Sequence, residues 1–208
     1  MGTLAGKTAV ILGASGENSF GSTIARRLAL EGASIVVAAR REQPLQALAA
    51  ELDGLAVACD VTDEAQIEQL FAAASEKYGN VDIAVYSAGI HSGAAIAGLT
   101  ADMIRPTLEI SFIGALLFFK HAAAAMSDGG SVLTVSSLTA RIPGPGLATY
   151  SGARAGIDYA IKVAAVEYAA NHDVLKPVCV PVVSALQLIG PGVGAVVSGS
   201  IDDAQVHE

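Results

Sequence analysis

Short apolar runs alternate with longer helical stretches along this chain, and that alternation restricts the fold more than any other feature. Five runs are rich in valine and isoleucine: residues 8–12, 34–39, 55–59, 82–86 and 131–136. Apolar residues recur with helical spacing over 21–31, 42–52, 63–78, 101–126 and 150–170. With right-handed crossovers, this order predicts a doubly wound parallel sheet of the Rossmann-like α/β class. Such a sheet binds ligands at the carboxyl ends of its strands.

Composition bounds the type of protein. The chain has 208 residues, 52% of them hydrophobic and 15% charged, which predicts one folded domain over residues 1–208. A net charge of -8 argues against a broad surface for nucleic acid or anionic membrane. Cys59 and Cys179 have no metal-ligand spacing, and neither do the four histidines. We expect reduced thiols and no metal site.

Two segments bear on the compartment. The first residues, MGTLAGKTAVILG, lack the pattern of a signal peptide, so a cytoplasmic protein is expected. Between Lys176 and Asp202 the chain carries no charge, which is long enough to span a bilayer. Prolines and glycines interrupt this segment and favour short buried strands and turns over a spanning helix. The spanning helix stays open as the alternative.

A glycine-rich loop follows the first predicted strand. Residues 13–21 read GASGENSFG and lead directly into a helical stretch. Glycines here permit a tight turn, and a helix N-terminus offers free N–H groups to a pyrophosphate. No Gly-Lys-Ser/Thr follows, so an NTPase phosphate loop is not indicated. The alternative is that these glycines only connect a strand to a helix.

Arginines follow the second predicted strand. An acidic residue at this point would accept hydrogen bonds from the adenosine ribose, whereas an arginine pairs with a 2′-phosphate. Arg40 therefore favours NADP(H) over NAD(H), which is less expected. Alternatively, Arg40 and Arg41 are solvated charges at the start of the second helix.

The segment LATYSGARAG places Tyr150 and Arg154 four residues apart, hence on one helix face. Other short motifs precede this pair at the ends of the predicted strands: the loop 13–21, Cys59-Asp60-Val61, Tyr86-Ser87-Ala88-Gly89 and Ser136-Ser137. Taken in order, this set resembles the short-chain dehydrogenase/reductase family. Ser137 lies thirteen residues before Tyr150, which is the spacing of the family's serine and tyrosine. The resemblance covers residues 5 to about 181.

The resemblance implies a hydride transfer between nicotinamide and a ketone or secondary alcohol. It assigns Tyr150 as the acid, Ser137 as the donor that orients the carbonyl, and Arg154 as the fixed cation, with Ser111 at the place of the catalytic asparagine. The implied cofactor contacts come from the glycine loop, from the ends of strands two to four and from the tyrosine helix: Gly13, Ser15, Ser19, Phe20, Gly21, Arg40, Asp60, Val61, Ser87, Ala88, Gly89, Tyr150, Arg154 and Pro181.

Four positions depart from the family pattern. The glycine loop is two residues longer, with Ser19 where the middle glycine aligns. The family's NNAG is YSAG here, Ser111 replaces an asparagine, and the YxxxK motif ends in Arg154. Because a guanidinium stays protonated at any working pH, the family's proton relay is altered.

The end of the chain also differs from the family pattern. Residues 174–181 resemble the sixth strand and the start of the proline-glycine turn. The region that follows is shorter than usual in the family, so residues 182–208 are expected to form an atypical substrate-covering region. The segment GAVVSGSI, residues 194–201, resembles the last strand.

Three functions stay open on these residues. The first is an NADP(H)-dependent oxidoreductase. The second is a nucleotide-binding scaffold or regulatory subunit with little catalysis, and the third is an altered enzyme whose last residues fold poorly. Helical stretches that are apolar nearly all round, 112–119 and 155–170, favour a homo-oligomer, with burial against the chain's own sheet as the alternative.

Overall fold

One parallel sheet forms the centre of the protein. The structure is a computed structural model and describes residues 2–91, 93–169 and 178–180. Within those residues, the strands have the spatial order β3-β2-β1-β4-β5-β6, and every neighbouring pair is parallel. Their bounds are β1 Thr8–Leu12, β2 Ser34–Ala39, β3 Leu55–Ala58, β4 Ile83–Tyr86, β5 Ser131–Val135 and β6 Val178–Val180.

Helices connect consecutive strands. They are α1 Phe20–Leu30, α2 Glu42–Glu51, α3 Glu64–Tyr78, α4 Ala101–Leu108, α5 Gly114–Ala125 and α6 Ala148–Ala169. A π-helical segment, Glu109–Ile113, joins α4 to α5, and short 3-10 turns cover Ile96–Gly98 and Leu138–Ala140. The predicted doubly wound α/β fold is therefore confirmed, with element ends within about two residues of the sequence expectation. The resemblance of 174–181 to a sixth strand agrees with β6, whereas 194–201 lies outside the described residues.

The strand order reverses between β1 and β4. The chain winds outward from β1 to β3 and then crosses back to place β4 beside β1. Leu12 pairs with Tyr86 in register, so both strands end at the same edge of the sheet. The connections that leave β1 and β4 lead to helices on opposite faces of the sheet, and ligands bind beside such a point of reversal in folds of this kind.

Both faces of the sheet are covered. Alternate residues of β1 point to opposite faces: Val10 and Leu12 join the core beneath α3, α5 and α6, whereas Ala9 and Ile11 join the core beneath α1 and α2. Phe118 is fully buried in the first core, where its ring lies 5.1 Å from the Phe71 ring and 5.4 Å from the Tyr86 ring, centroid to centroid. These aromatic contacts tie α3, α5 and β4 together.

Helix ends follow the expected signals. Gly32 and Gly79 adopt φ values of 93° and 83° just after α1 and α3, a left-handed conformation that glycine adopts without steric penalty. Asp63 caps α3, with its carboxylate accepting a hydrogen bond from the Ala65 N–H at 3.0 Å.

Among the described residues, one helical stretch, Ala101–Ala125, is long and apolar enough to cross a bilayer by length and composition alone. One third of its most apolar window is buried inside the protein. Core helices of globular proteins meet the same criterion, so this feature is weak evidence for a membrane.

Replacement of Phe118 by alanine should lower the free energy of unfolding by about 3–5 kcal/mol, because it leaves a cavity between α3, α5 and β4. Chemical denaturation measures this change. Leu30→Ala is the matched control, since Leu30 is 77% exposed and its truncation should change the free energy by less than about 0.5 kcal/mol. Equal effects of the two substitutions would contradict the core assignment.

Candidate active site

The glycine loop packs directly on the loop that follows β4. Gly13 has a φ of 95°, and a Cβ placed there would lie 2.7 Å from the carbonyl carbon of Ser87 and from the nitrogen of Ala88. A Cβ on Gly21 would lie 2.7 Å from the Gly13 carbonyl oxygen. Side chains at these two positions would force the backbones apart, so the close approach of the loops requires both glycines.

Ser19 begins α1. Its hydroxyl accepts a hydrogen bond from the Ser22 N–H at 3.2 Å and donates to the Gly16 carbonyl at 3.1 Å. Phe20 and Gly21 occupy the first positions of the helix, where N–H groups have no intrahelical partner. The residue that replaces a glycine in the family pattern therefore acts as a helix cap, and α1 follows the carboxyl end of β1, where a helix N-terminus can bind an anion.

An ion pair holds the extra length of the glycine loop. Arg26 donates to the Glu17 carbonyl at 2.9 Å and to both carboxylate oxygens of Glu51, at 2.7 and 2.9 Å. The Ser22 hydroxyl donates to the same Glu17 carbonyl at 3.1 Å. The hydrogen bond from Arg26 holds the pKa of the Glu51 carboxyl below its usual value. No sequence pattern predicts this clamp, because β2 and most of α2 lie between Arg26 and Glu51 in the chain.

The two arginines after β2 have different surroundings. Arg40 is exposed. The pKa of Asp60 is lowered mainly by the hydrogen bond from the Thr62 N–H, and the positive charge of Arg40 lowers it further. Arg41 turns back onto the glycine loop and donates to the Ser15 carbonyl at 3.0 Å and to the Ser15 hydroxyl at 3.2 Å. Both cations thus border the region between β2, β3 and the glycine loop, although only Arg40 was singled out from the sequence.

The other predicted contacts at this edge lie as the strand order requires. Val61 is buried beside Asp60 at the end of β3. The Ser87 N–H donates to the Leu12 carbonyl at 2.9 Å, which extends the β1–β4 pairing by one residue. Ala88 and Gly89 continue from Ser87 toward α6. Pro181 lies outside the described residues, so its predicted contact has no structural counterpart here.

Arg154 belongs to the second turn of α6, and its side chain is buried between the ends of β4 and β5. The residue is 5% exposed, and its two terminal nitrogens donate to the Val135 carbonyl at 3.1 Å and to the Ala88 carbonyl at 3.3 Å. A Cβ on Gly89 would lie only 1.9 Å from one of these nitrogens. The guanidinium therefore depends on the missing side chain at Gly89.

Tyr150 and Arg154 meet as their spacing predicts. The Arg154 guanidinium carbon lies 5.3 Å from the centre of the Tyr150 ring, within the range of a cation–π contact. The ring of His91, from the loop after β4, lies 5.4 Å from the Tyr150 ring between centroids, at an interplanar angle of 57°. The sequence alone gave no reason to select His91, since it belongs to no ligand pattern.

Ser137 is placed at the end of β5, where it begins the 3-10 turn at Leu138–Ala140. Its hydroxyl accepts a hydrogen bond from the Thr139 N–H at 3.2 Å and shares another with the Thr139 hydroxyl at 2.9 Å. Among the described residues the hydroxyl is thus engaged with Thr139, and no direct hydrogen bond joins it to Tyr150. Ser137 precedes the loop 141–147 and Tyr150 follows it, in the first turn of α6.

Ser111 lies on the π-helical segment between α4 and α5. Its hydroxyl is fully buried and, among the described residues, has no hydrogen-bond partner. The neighbouring Ile110 carbonyl accepts a hydrogen bond from the Tyr86 hydroxyl. Burial raises the pKa of Tyr86, so this phenol is a committed donor. Tyr86 occupies the first position of the YSAG motif, and it holds the segment that carries Ser111.

Cys59 is a buried thiol at the end of β3. Burial raises its pKa to about 12, so the thiol stays protonated and is not a nucleophile. Across the residues that the structure describes, no group of three histidine, cysteine, aspartate or glutamate side chains is arranged to hold a metal ion.

Comparison with known proteins identifies relatives of the whole described fold. A family model described as Enoyl-(Acyl carrier protein) reductase matches residues 13–176. An uncharacterized oxidoreductase of Methylorubrum extorquens is 33% identical over 164 residues, which cover 76% of this chain and 65% of that protein. The chain thus matches slightly less than two thirds of the length of that relative.

Solved structures share the same architecture. A short-chain dehydrogenase from Mycobacterium smegmatis superposes with a TM-score of 0.82, covering 91% of this chain and 86% of its own, at 24% identity. A short-chain type dehydrogenase/reductase from Mycobacterium marinum gives a TM-score of 0.77 at 32% identity, covering 82% of this chain and 72% of its own. The first likeness concerns the fold alone, whereas the second extends to sequence.

Replacement of Arg154 by methionine should lower the free energy of unfolding by about 2 kcal/mol or more, because it leaves the Ala88 and Val135 carbonyls without their donors. Urea denaturation measures the effect. Arg141→Met is the control, since Arg141 is exposed in the loop before α6. A methionine variant as stable as its parent would show that the guanidinium adds no net stability to this sheet edge.

Proposed function

This chain belongs to the short-chain dehydrogenase/reductase family, and we propose that it transfers a hydride between NADP(H) and a ketone or secondary alcohol. Family membership supports an oxidoreductase that uses a nicotinamide cofactor. The choice of NADP(H) and the carbonyl or alcohol substrate are our proposal. The observation that carries it is the contact between the Tyr150 phenol and the buried Arg154 cation at the carboxyl ends of β4 and β5.

The residues at this edge fit a dinucleotide. Gly13 and Gly21 let the glycine loop lie close against the loop after β4, and the N-terminus of α1 offers N–H groups to a pyrophosphate. Deeper in the site, the Ser111 hydroxyl and the Arg154 Nε are buried polar atoms without partners among the described residues. Buried polar atoms are nearly always hydrogen-bonded, so both are suited to ribose hydroxyls or to water.

We assign the remaining cofactor contacts by position along the sheet edge. Ser15, Ser19 and Phe20 would border the phosphates, Asp60 and Val61 the adenine, and Ser87, Ala88 and Gly89 the nicotinamide half. Tyr150 and Arg154 would contact the nicotinamide ribose. Pro181, which lies outside the described residues, stays a proposed cofactor contact.

Arg40 and Arg41 support NADP(H). Both follow β2, where the adenosine ribose lies in folds of this kind, and the planar guanidinium suits a phosphate. Arg41 already bonds the glycine loop through Ser15, whereas the exposed Arg40 remains available for a 2′-phosphate. A carboxylate that binds a free ribose would follow β2 directly, and this chain has Arg40 and Arg41 there instead.

The bound cofactor supplies or accepts the hydride. Tyr150 donates a proton to the substrate oxygen in the reduction, and Ser137 orients that oxygen by a hydrogen bond. Ser137 releases its contact with the Thr139 hydroxyl for this purpose and keeps the one from the Thr139 N–H. The Arg154 cation beside the phenol stabilises the phenolate that forms when the proton leaves.

Arg154 also limits the reaction. Its terminal nitrogens bond backbone carbonyls, and a guanidinium does not give up a proton at working pH. These features favour a slow reductase over a fast one. They equally favour the second candidate function, a nucleotide-binding scaffold with little catalysis. An assay of carbonyl-dependent NADPH oxidation distinguishes the two functions.

We propose a homo-oligomer in the cytoplasm. A groove of about 460 Å³ between the outer faces of α5 and α6 is lined by apolar residues, among them Leu116 and Val163. Tyr159 and Val166 on α6 are 70% and 73% exposed. A second copy of the chain would cover this surface, and the apolar stretch Ala101–Ala125 is then a helix of the core and the interface rather than a membrane span.

Replacement of Arg40 by aspartate should reduce the affinity for NADPH about 10- to 100-fold, because one charged hydrogen-bonded contact with the 2′-phosphate is lost. The affinity for NADH should not fall, because a carboxylate at this point accepts hydrogen bonds from a free ribose. Binding titrations with both dinucleotides measure this. Arg105→Asp, an exposed charge reversal on α4, should change neither affinity. A parent protein that binds neither dinucleotide would end the proposal.

Replacement of Arg154 by lysine should raise the turnover of NADPH-dependent carbonyl reduction, because an ammonium keeps the positive charge and also exchanges a proton. The gain should not exceed about 10²-fold, the lower end of what a general acid–base contact contributes, since proton exchange is slowed rather than abolished in the parent. Steady-state kinetics with a panel of ketones measure it. A lysine variant no faster than its parent, with cofactor affinity intact, would count against the account of the altered relay.

A further inference from the structure

Two loops meet around Tyr150. The loop after β4 carries His91, and the loop before α6 leads to Tyr150. The Ala94 N–H donates to the Gly146 carbonyl at 3.0 Å and joins them. This contact places the His91 imidazole against the Tyr150 phenol, with 5.4 Å between the ring centroids. The imidazole thus borders the side chain that is proposed to donate the proton.

Tyr150 needs a source of protons. After each reduction its phenolate must recover a proton before the next turnover. Arg154 is committed to the Ala88 and Val135 carbonyls and does not exchange a proton at working pH. Ser111 is fully buried, and its hydroxyl has no partner among the described residues. Neither residue offers a path from the phenol to solvent.

His91 has the position and the chemistry for this task. His91 is exposed, whereas Arg154, which contacts the same phenol ring, is 5% exposed. One part of the imidazole therefore faces water while another adjoins Tyr150. Imidazole is the side chain that ordinarily gains and loses a proton between about pH 5 and 8. Of the described ionisable groups, Tyr150 contacts the imidazole and Arg154 lies across the phenol ring.

We propose that His91 is the proton-exchange residue of this site and replaces the lysine relay that the chain lacks. In the reduction, the Tyr150 O–H bond breaks as the substrate oxygen takes the proton. The His91 imidazolium then gives up an N–H proton to the phenolate, directly or through one water, and the neutral imidazole takes a proton from solvent. In the oxidation each transfer runs in the opposite direction, and no further reactant is required.

This inference rests on the proposed function. Its first test is His91→Phe, which keeps an aromatic ring against Tyr150 but carries no exchangeable proton. We expect kcat to fall about 10²-fold, with the affinity for NADPH unchanged and the neutral limb of the pH profile of kcat lost. His121→Phe is the matched control: His121 contacts Glu64 on α3, outside the site, and its variant should keep the pH profile of the parent.

Chemical rescue distinguishes proton exchange from packing. Imidazole added to the His91→Ala variant should restore kcat at least 10-fold, as exchange through a free base predicts. The same imidazole should not restore Tyr150→Phe. A His91→Phe variant that retains the parent's kcat and pH profile would overturn the proposal, and so would a His91→Ala variant that imidazole does not accelerate.

A measurement without cofactor separates failure of this inference from failure of the proposed function. Nitrogen NMR reports the tautomer of His91, with His91→Phe used to assign the signal. Removal of the phenol hydroxyl in Tyr150→Phe should shift the tautomer populations if the two groups exchange a proton. Unchanged populations would refute the coupling. If the tautomer populations differ between the parent and Tyr150→Phe, but the parent oxidises no NADPH with any carbonyl, only the proposed function is refuted.

Discussion

The buried guanidinium of Arg154 is the interaction on which the site depends. A charge removed from water must be compensated by hydrogen bonds, and the Ala88 and Val135 carbonyls provide them at the ends of two adjacent strands. The same cation contacts the Tyr150 ring and therefore fixes the helix that carries the phenol relative to the sheet. Gly89 makes this possible, since a side chain there would overlap the guanidinium. Sheet edge, helix and phenol are thus positioned by one side chain.

Sequence patterns predicted the fold almost completely, and they did so for local reasons. Buried strands of a parallel sheet are short apolar runs, and Gly32 and Gly79 end helices where only glycine adopts the backbone conformation freely. The meeting of Tyr150 with Arg154 followed from helical spacing alone. Contacts between residues distant in the sequence were not predictable. Arg26 with Glu51, and His91 with Tyr150, belong to no spacing rule, because each pair is brought together only when the strands assemble.

The departures from the family pattern are connected in space. Tyr86 replaces the first asparagine of the family motif, and its hydroxyl bonds the Ile110 carbonyl within the π-helical segment. That segment carries Ser111, which replaces another asparagine. A wider helical turn frees backbone groups for side chains, and π-helical segments are frequent at functional sites. The larger tyrosine and the smaller serine therefore act on the same stretch of helix.

The clamp formed by Arg26, Glu51 and the Glu17 carbonyl has a consequence for how a ligand would be received. A longer loop ordinarily has more conformations to lose when it closes on a phosphate, and that loss weakens binding. Here the additional residues are already immobilised by contacts on the side of the loop that faces α1 and α2. The insertion is thus pre-organised, and part of its rigidity is electrostatic. High ionic strength would weaken the attraction between Arg26 and Glu51 and would therefore loosen the loop.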